Sequence, residues 1–265
     1  MTAMTDVRKN RARLPPILAA GIGILLGAAM IAAVFAPAFS QTQEDDAQIA
    51  RSLATMLRAA RTIISQSQDR INDPAIGYKG LDGKSVLEQC SKLYQTATQV
   101  DPLSIDPKTR HGKLIRLLMD SIVEVMDVQQ QTLNRQGVGF KGFIPAVFAR
   151  LVNEAFGRRA AGMAEIKVTA PLQLIRNKRA RPDQWEADVI DGKLLSAQWP
   201  KDMPYAATSQ TRGKTAYRMA MPEYYGSSCL TCHGSPKGEF DVTGYPKDGA
   251  REGDLGGVIS ITLYR

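Results

Sequence analysis

The chain has 265 residues, 44% of them hydrophobic and 23% charged, with a formal net charge of +8. It contains no low-complexity tract and no internal repeat, so a packed core is expected, as one large domain or as a domain plus an anchor. The charge is too mild to point to nucleic acid, because part of it belongs to an unusual N-terminus.

Arg8, Lys9, Arg11 and Arg13 precede an uncharged run from Leu14 to Phe39. A basic flank before an apolar stretch is how an export signal or signal anchor reads. Ala36-Pro37-Ala38 and Ala38-Phe39-Ser40 both resemble cleavage sites. At about 1.5 Å rise per residue the run also just spans a bilayer. Residues 1–40 are therefore expected to be a signal peptide or membrane anchor. Residues 41–265 are expected to be one exported domain on the periplasmic side, because the positive flank stays in the cytoplasm. Residues 1–38 hold four Lys/Arg and one Asp, which leaves 30 positive and 25 negative groups beyond them.

Asp46 to Ile71 has Ile49, Leu53, Leu57, Ala60 and Ile64 at helical spacing. Ser85-Val86-Leu87-Glu88 reads as a capping box, and the helix it opens lines up Val86, Leu87, Cys90, Leu93, Tyr94 and Ala97. Asp101 to His111, with two prolines, reads as a loop. Lys113 to Leu133 and Phe143 to Phe156 read as two more amphipathic helices, with Pro145 tolerated in the first turn. The run Arg176-Asn177-Lys178-Arg179 reads as a solvated loop. Further on, Glu165–Ala170 and Lys214–Met221 alternate, and 257–264 is rich in β-branched residues. Helices first and antiparallel strands second make an α+β fold.

The chemistry concentrates in Cys229-Leu230-Thr231-Cys232-His233. A structural zinc wants four ligands, and adjacent Cys232 and His233 chelate one metal poorly. A thioredoxin-type pair wants a strand before it and a helix after it. CxxCH is the signature of covalent c-type haem: two thiols add to two vinyl groups, and the histidine binds the iron. An export signal agrees with that chemistry. His233 is then the proximal iron ligand. No methionine follows the motif, so a distal ligand must come from upstream. Cys90, His111 and several methionines are the candidates, of which Met219 and Met221 lie too close in sequence to reach round easily. Cys90 reads equally well as a ligand or as an inert core thiol, and His111 reads as a surface histidine.

Four stretches together resemble a known family, the c-type monohaem domains with a PAS-like fold. That family is represented by a cyanobacterial haem protein and by extracytoplasmic sensor modules of histidine kinases. The stretches are Cys229–Gly234, Lys141-Gly142-Phe143-Ile144-Pro145-Ala146, Arg176-Asn177 with Pro182-Asp183-Gln184-Trp185-Glu186, and Gly253–Ser260. Lys178 stands where the family often has proline, and Ala180 where it has asparagine. The resemblance implies a PAS-like antiparallel sheet after N-terminal helices. It also implies one covalent haem c, attached through Cys229 and Cys232 and ligated by His233 and by Cys90 on an N-terminal helix.

The function expected from these readings is an exported monohaem sensor of redox state or of a small gas such as CO or NO, not an enzyme. Because the sequence shows no output domain after its last strand, a separate redox or signalling protein is the expected partner. A low-potential electron-transfer cytochrome is the alternative. A peroxidase needs a distal acid or base, and only His111 offers itself.

Overall fold

The computed structural model describes residues 41–265. The basic flank, the apolar run and the expected cleavage sites at 1–40 lie outside the described residues. Among the described residues, no helix is long and apolar enough to cross a membrane.

Helix α1 (Gln41–Gln66) buries Ile49, Leu53, Leu57, Ala60 and Ile64, the stripe expected from their spacing. A kink at Ser67 separates it from α2 (Gln68–Asn72). Helix α3 (Gly83–Thr98) begins earlier than the sequence suggested. Its N-cap is Asp82, whose carboxylate accepts from the Ser85 amide at 2.9 Å, the Ser85 hydroxyl at 2.8 Å and the Tyr78 hydroxyl at 2.6 Å. The expected Ser85–Glu88 box does not form, because a carboxylate three residues earlier takes the serine as its own donor. Tyr78 and Ser85 hold the Asp82 carboxyl well below its usual range.

Helix α4 (Arg110–Val128) is capped by Thr109, which accepts from the Gly112 amide at 3.0 Å. Gly112 is obligatory, since a Cβ there would lie 1.9 Å from the Asp106 carbonyl oxygen. His111 therefore sits in the first turn of α4 rather than in a loop. A short α5 (Gln130–Leu133) follows, and α6 (Pro145–Arg159) opens on Pro145.

Four antiparallel strands follow: β1 (Ala164–Thr169), β2 (Tyr205–Thr211), β3 (Lys214–Tyr224) and β4 (Leu255–Tyr264). Their order in the sheet is β1-β4-β3-β2. Strand β2 was not expected from sequence; it is an edge strand with one half-buried face. It turns into β3 through Arg212 and Gly213, both at positive φ, as a tight hairpin requires. Helices α1 and α6 pack on one sheet face, covering Tyr217, Met219, Met221, Ile259, Ile261 and Leu263, with α4 packed against both helices. The other face holds a smaller cluster of Val189, Ile190, Leu194, Ala220 and Val258 under Trp185, Trp199 and Tyr205.

Two ionic clamps tie α1 down. Near its start, buried Asp46 accepts from Arg110 at 2.8 Å and from Arg265 at 2.9 Å. Past its middle, Arg58 and Arg61 bond Glu223 at 2.7 and 2.6 Å, at the end of β3. The order of elements is α+β, helices before sheet, as expected.

Candidate functional site

The end of β3 leads directly into the cysteine motif. Ser227–Cys229 makes one tight turn and α7 (Leu230–His233) completes it. The Gly234 amide closes that turn on the Leu230 carbonyl at 2.8 Å. A Cβ at Gly234 would lie 2.5 Å from the same oxygen, so the glycine after the histidine is a packing requirement. Cys229 and Cys232 are both free and half-buried. Three residues apart on one helical turn, they project to the same side.

The chain then loops out and returns. The Ala250 amide bonds the His233 carbonyl at 2.9 Å, and the Gly249 amide bonds the Gly234 carbonyl at 3.0 Å. Gly249 turns the backbone at φ +78° to do so. This return lays the Asp248 carboxylate directly on His233 Nδ1. A carboxylate only accepts, so Nδ1 carries a proton, and in the neutral imidazole that leaves the lone pair on Nε2. The ring of Tyr225 stacks on the imidazole with centroids 4.8 Å apart, and its hydroxyl lies 3.2 Å from Nδ1. Tyr225 is held there because residue 256 is glycine: a Cβ at Gly256 would approach the phenol ring to 2.5 Å.

Arg176 is the hub of the returning loop. It donates to Asp241 at 2.6 Å, to the Cys232 carbonyl at 2.9 Å, and to the Pro246 carbonyl and Asp248 at 3.2 Å each. The expected solvated loop is thus corrected at its first residue: the Arg176 side chain is only 20% exposed, because two carboxylates and two carbonyls converge on it. The Asp241 side chain is fully buried; burial pushes its carboxyl up, and bonds from Thr243 and Arg176 outweigh that, bringing it down to about 2. The Cys232 thiol is pushed up by burial first and by neighbouring Asp241 second.

Apolar side chains lie open on the segments framing this turn. Phe240 is 72% exposed and Leu172 62%, with Val242 and Tyr245 also exposed. Uncovered rings and aliphatic groups beside two free thiols are what a large apolar ligand would cover.

The C-terminal end of α1 meets the same region. The Ser65 and Ser228 hydroxyls are 3.2 Å apart, and Gln68 donates to the Phe143 carbonyl at 3.1 Å. The end of α1 and the start of α2 therefore gather the cysteine motif and the Lys141–Ala146 stretch.

Cys90 stands elsewhere. It is fully buried on α3 within the helical core, one turn from Tyr94, whose hydroxyl bonds Ser52 at 2.7 Å. Burial pushes its thiol up to about 12. The structure brings Cys229, Cys232 and His233 together in one turn and places Cys90 in the helical core on α3. His111 sits near the Asp46 end of α1, away from the motif, with Nε2 buried and without a hydrogen-bond partner. Burial lowers its pKa. Met219 and Met221 face the helical core. Among the described residues no group of three or more His, Cys, Asp or Glu side chains is arranged to hold a bare metal ion.

Sequence reasoning missed Asp248, Asp241 and Tyr225, and it misread Arg176. All four reach the site only through the fold. The capping box that the sequence placed at Ser85 occurs instead at Asp183–Glu186, inside the Pro182–Glu186 stretch.

A family model described as Tll0287-like: Tll0287 matches residues 40–263. No curated protein and no solved structure matches the chain.

Proposed function

The chain belongs to the Tll0287-like family, the haem-binding family its motifs resemble, and from that premise we propose that it is an exported monohaem c-type haem protein that senses redox state or a small gas. The observation that carries this reading is the motif turn itself. Two free thiols share one side of a single turn, and the following histidine has Nδ1 occupied by Asp248 and Nε2 open. That is the tautomer an iron ligand needs, fixed by an outer partner. The exposed Phe240, Val242, Tyr245 and Leu172 fit an apolar macrocycle.

In this reading Cys229 and Cys232 hold haem c covalently and His233 Nε2 is the proximal iron ligand. Bound haem supplies an iron centre that exchanges one electron and takes up gases such as CO or NO. The protein's own groups do the rest. Asp248 and Tyr225 fix the imidazole, and Arg176 fixes Asp248 and the loop behind the motif. Cys90 is the proposed distal ligand. That role requires its thiol to lose a proton that burial holds strongly. Binding and release of Cys90, carried by α3, would be the conformational signal a partner protein reads. Arg58, Arg61 and Ser65 join α1 to β3 and the motif loop, so α1 feels any displacement there.

The second reading is a low-potential electron carrier in the periplasm. The carboxylates around His233 favour it, since negative charge stabilises oxidised iron. No nucleic acid and no catalytic turnover enter either reading. Absorption spectra of oxidised, reduced and CO-treated protein, beside Cys90→Ala, separate them. The sensor reading expects thiolate features in the oxidised wild type, absent from the variant, and CO binding on reduction. Identical spectra in both proteins, with no CO binding, favour the carrier.

A further inference from the structure

The carboxylate at His233 does more than hold a ring in place. We propose that Asp248 is a positioning residue that makes His233 an electron-rich axial ligand and so sets the potential of the bound haem low. This rests on the reading that His233 ligates haem iron.

Asp248 reaches His233 by backbone design. The amides of Gly249 and Ala250 bond the carbonyls of Gly234 and His233, so residues 248–250 run beside 233–234 as a short antiparallel pair. The oxygen of Asp248 that meets Nδ1 is the one that also receives Arg176, at 3.2 Å. Arg176 is shared unequally. Its bond to buried Asp241 is 2.6 Å, clearly shorter, so its charge is committed mainly there. Asp248 keeps most of its negative charge for the imidazole. Lys247 is paired with Glu239 at 3.0 Å, and Lys237 packs its chain against Gly249. The charged group in direct contact with His233 is the Asp248 carboxylate.

Two consequences follow from general chemistry. A carboxylate that accepts from Nδ1–H raises the basicity of Nε2, and with it the donation to whatever Nε2 binds. Negative charge near an iron centre favours its more positive oxidation state. Both push the potential down. The stacked Tyr225 covers one face of the imidazole, which reduces the screening of the pair by water. A loop clamp with no electronic role is the alternative. It would change stability when broken and leave the potential where it was.

The test uses haem-loaded wild type, Asp248→Asn and Asp248→Glu, made in cells with a c-type maturation system. Covalent haem is assayed first, as the pyridine haemochrome, and midpoint potentials are then measured by spectroelectrochemistry. The amide keeps a hydrogen-bond acceptor for Nδ1 but loses the charge, so Asp248→Asn is expected to shift the potential upward. Asp248→Glu restores the charge and is expected to stay nearer to wild type. An Asp248→Asn protein that loads haem at an unchanged potential overturns the proposal. So does an Asp248→Glu shift equal to that of the amide. If Asp248→Asn fails to load, nitrogen-15 spectra of the histidines in haem-free protein decide: the wild type is expected to show His233 with the proton on Nδ1, and an equal tautomer mixture in wild type overturns the proposal. Wild type that takes up no haem sinks the proposed function itself, a result distinct from any change confined to the variants.

Discussion

Arg176→Ala removes the guanidinium that bonds Asp241, Asp248 and the carbonyls of Cys232 and Pro246. The consequence for Asp241 dominates, because that side chain is fully buried and its partner only 20% exposed. Stranding one member of a buried ion pair costs about 3–5 kcal/mol. The partial exposure of Arg176 argues for the low end, about 3 kcal/mol, because solvent screens the pair. For a chain of this size each kcal/mol moves Tm by about 2–4 °C, so a drop of roughly 6–12 °C is expected. The effect also has a pH signature. The Asp241 carboxyl lies at about 2 in the folded protein, below its unfolded value near 3.9. Such a group contributes stability above its unfolded pKa and loses it as pH falls toward the folded one. Without Arg176 the folded pKa rises, that contribution shrinks, and acid unfolding begins at higher pH. Thermal melts followed by circular dichroism at pH 7, with an acid titration of both proteins, measure the two effects. A Tm within about 2 °C of wild type together with an unmoved acid midpoint would refute the reasoning, because Asp241 would then not depend on Arg176.

Three further outcomes are expected. Gly256→Ala brings a Cβ to 2.5 Å from the Tyr225 ring and is expected to cost about 1–3 kcal/mol, with Tyr225 forced off His233; an unchanged melt and unchanged Tyr225–His233 contacts by NMR would contradict that. Cys90, fully buried with its thiol at about 12, is expected to resist alkylation at pH 8 until the protein is unfolded, as mass spectrometry would show; rapid labelling of native protein would mean that α3 opens readily. Asp46→Ala leaves Arg110 and Arg265 without their carboxylate and is expected to cost about 3 kcal/mol, read as a lower urea midpoint at constant slope.

The helices were legible because each buries a stripe that sequence spacing reveals, as Leu53, Leu57, Ala60 and Ile64 do on α1. Their ends were less so. Asp82 takes Ser85 as a donor, and the competition between two nearby caps is settled by geometry that spacing does not carry. Strand β2 escaped notice because Tyr205–Thr211 is a half-exposed edge of small polar residues, with Arg212-Gly213 as an unobtrusive turn. The heart of the site was legible, since Cys229, Cys232 and His233 are neighbours in the chain. The rest of it was not. Arg176 and Asp248 lie far apart in sequence and meet only because β4 runs between β1 and β3 and the loop before it folds back on the motif. Asp248 in isolation is one acidic residue in a turn-rich loop; its role appears only when its carboxylate is found on His233.

The most direct measurement is the intact mass of the protein, made in cells with a c-type maturation system, beside a Cys229→Ala, Cys232→Ala double variant. The account expects one haem covalently added to the wild type, with a haemochrome spectrum of two thioether bonds, and none on the double variant. Wild type recovered without covalent haem, both motif thiols free for alkylation, would contradict the central claim.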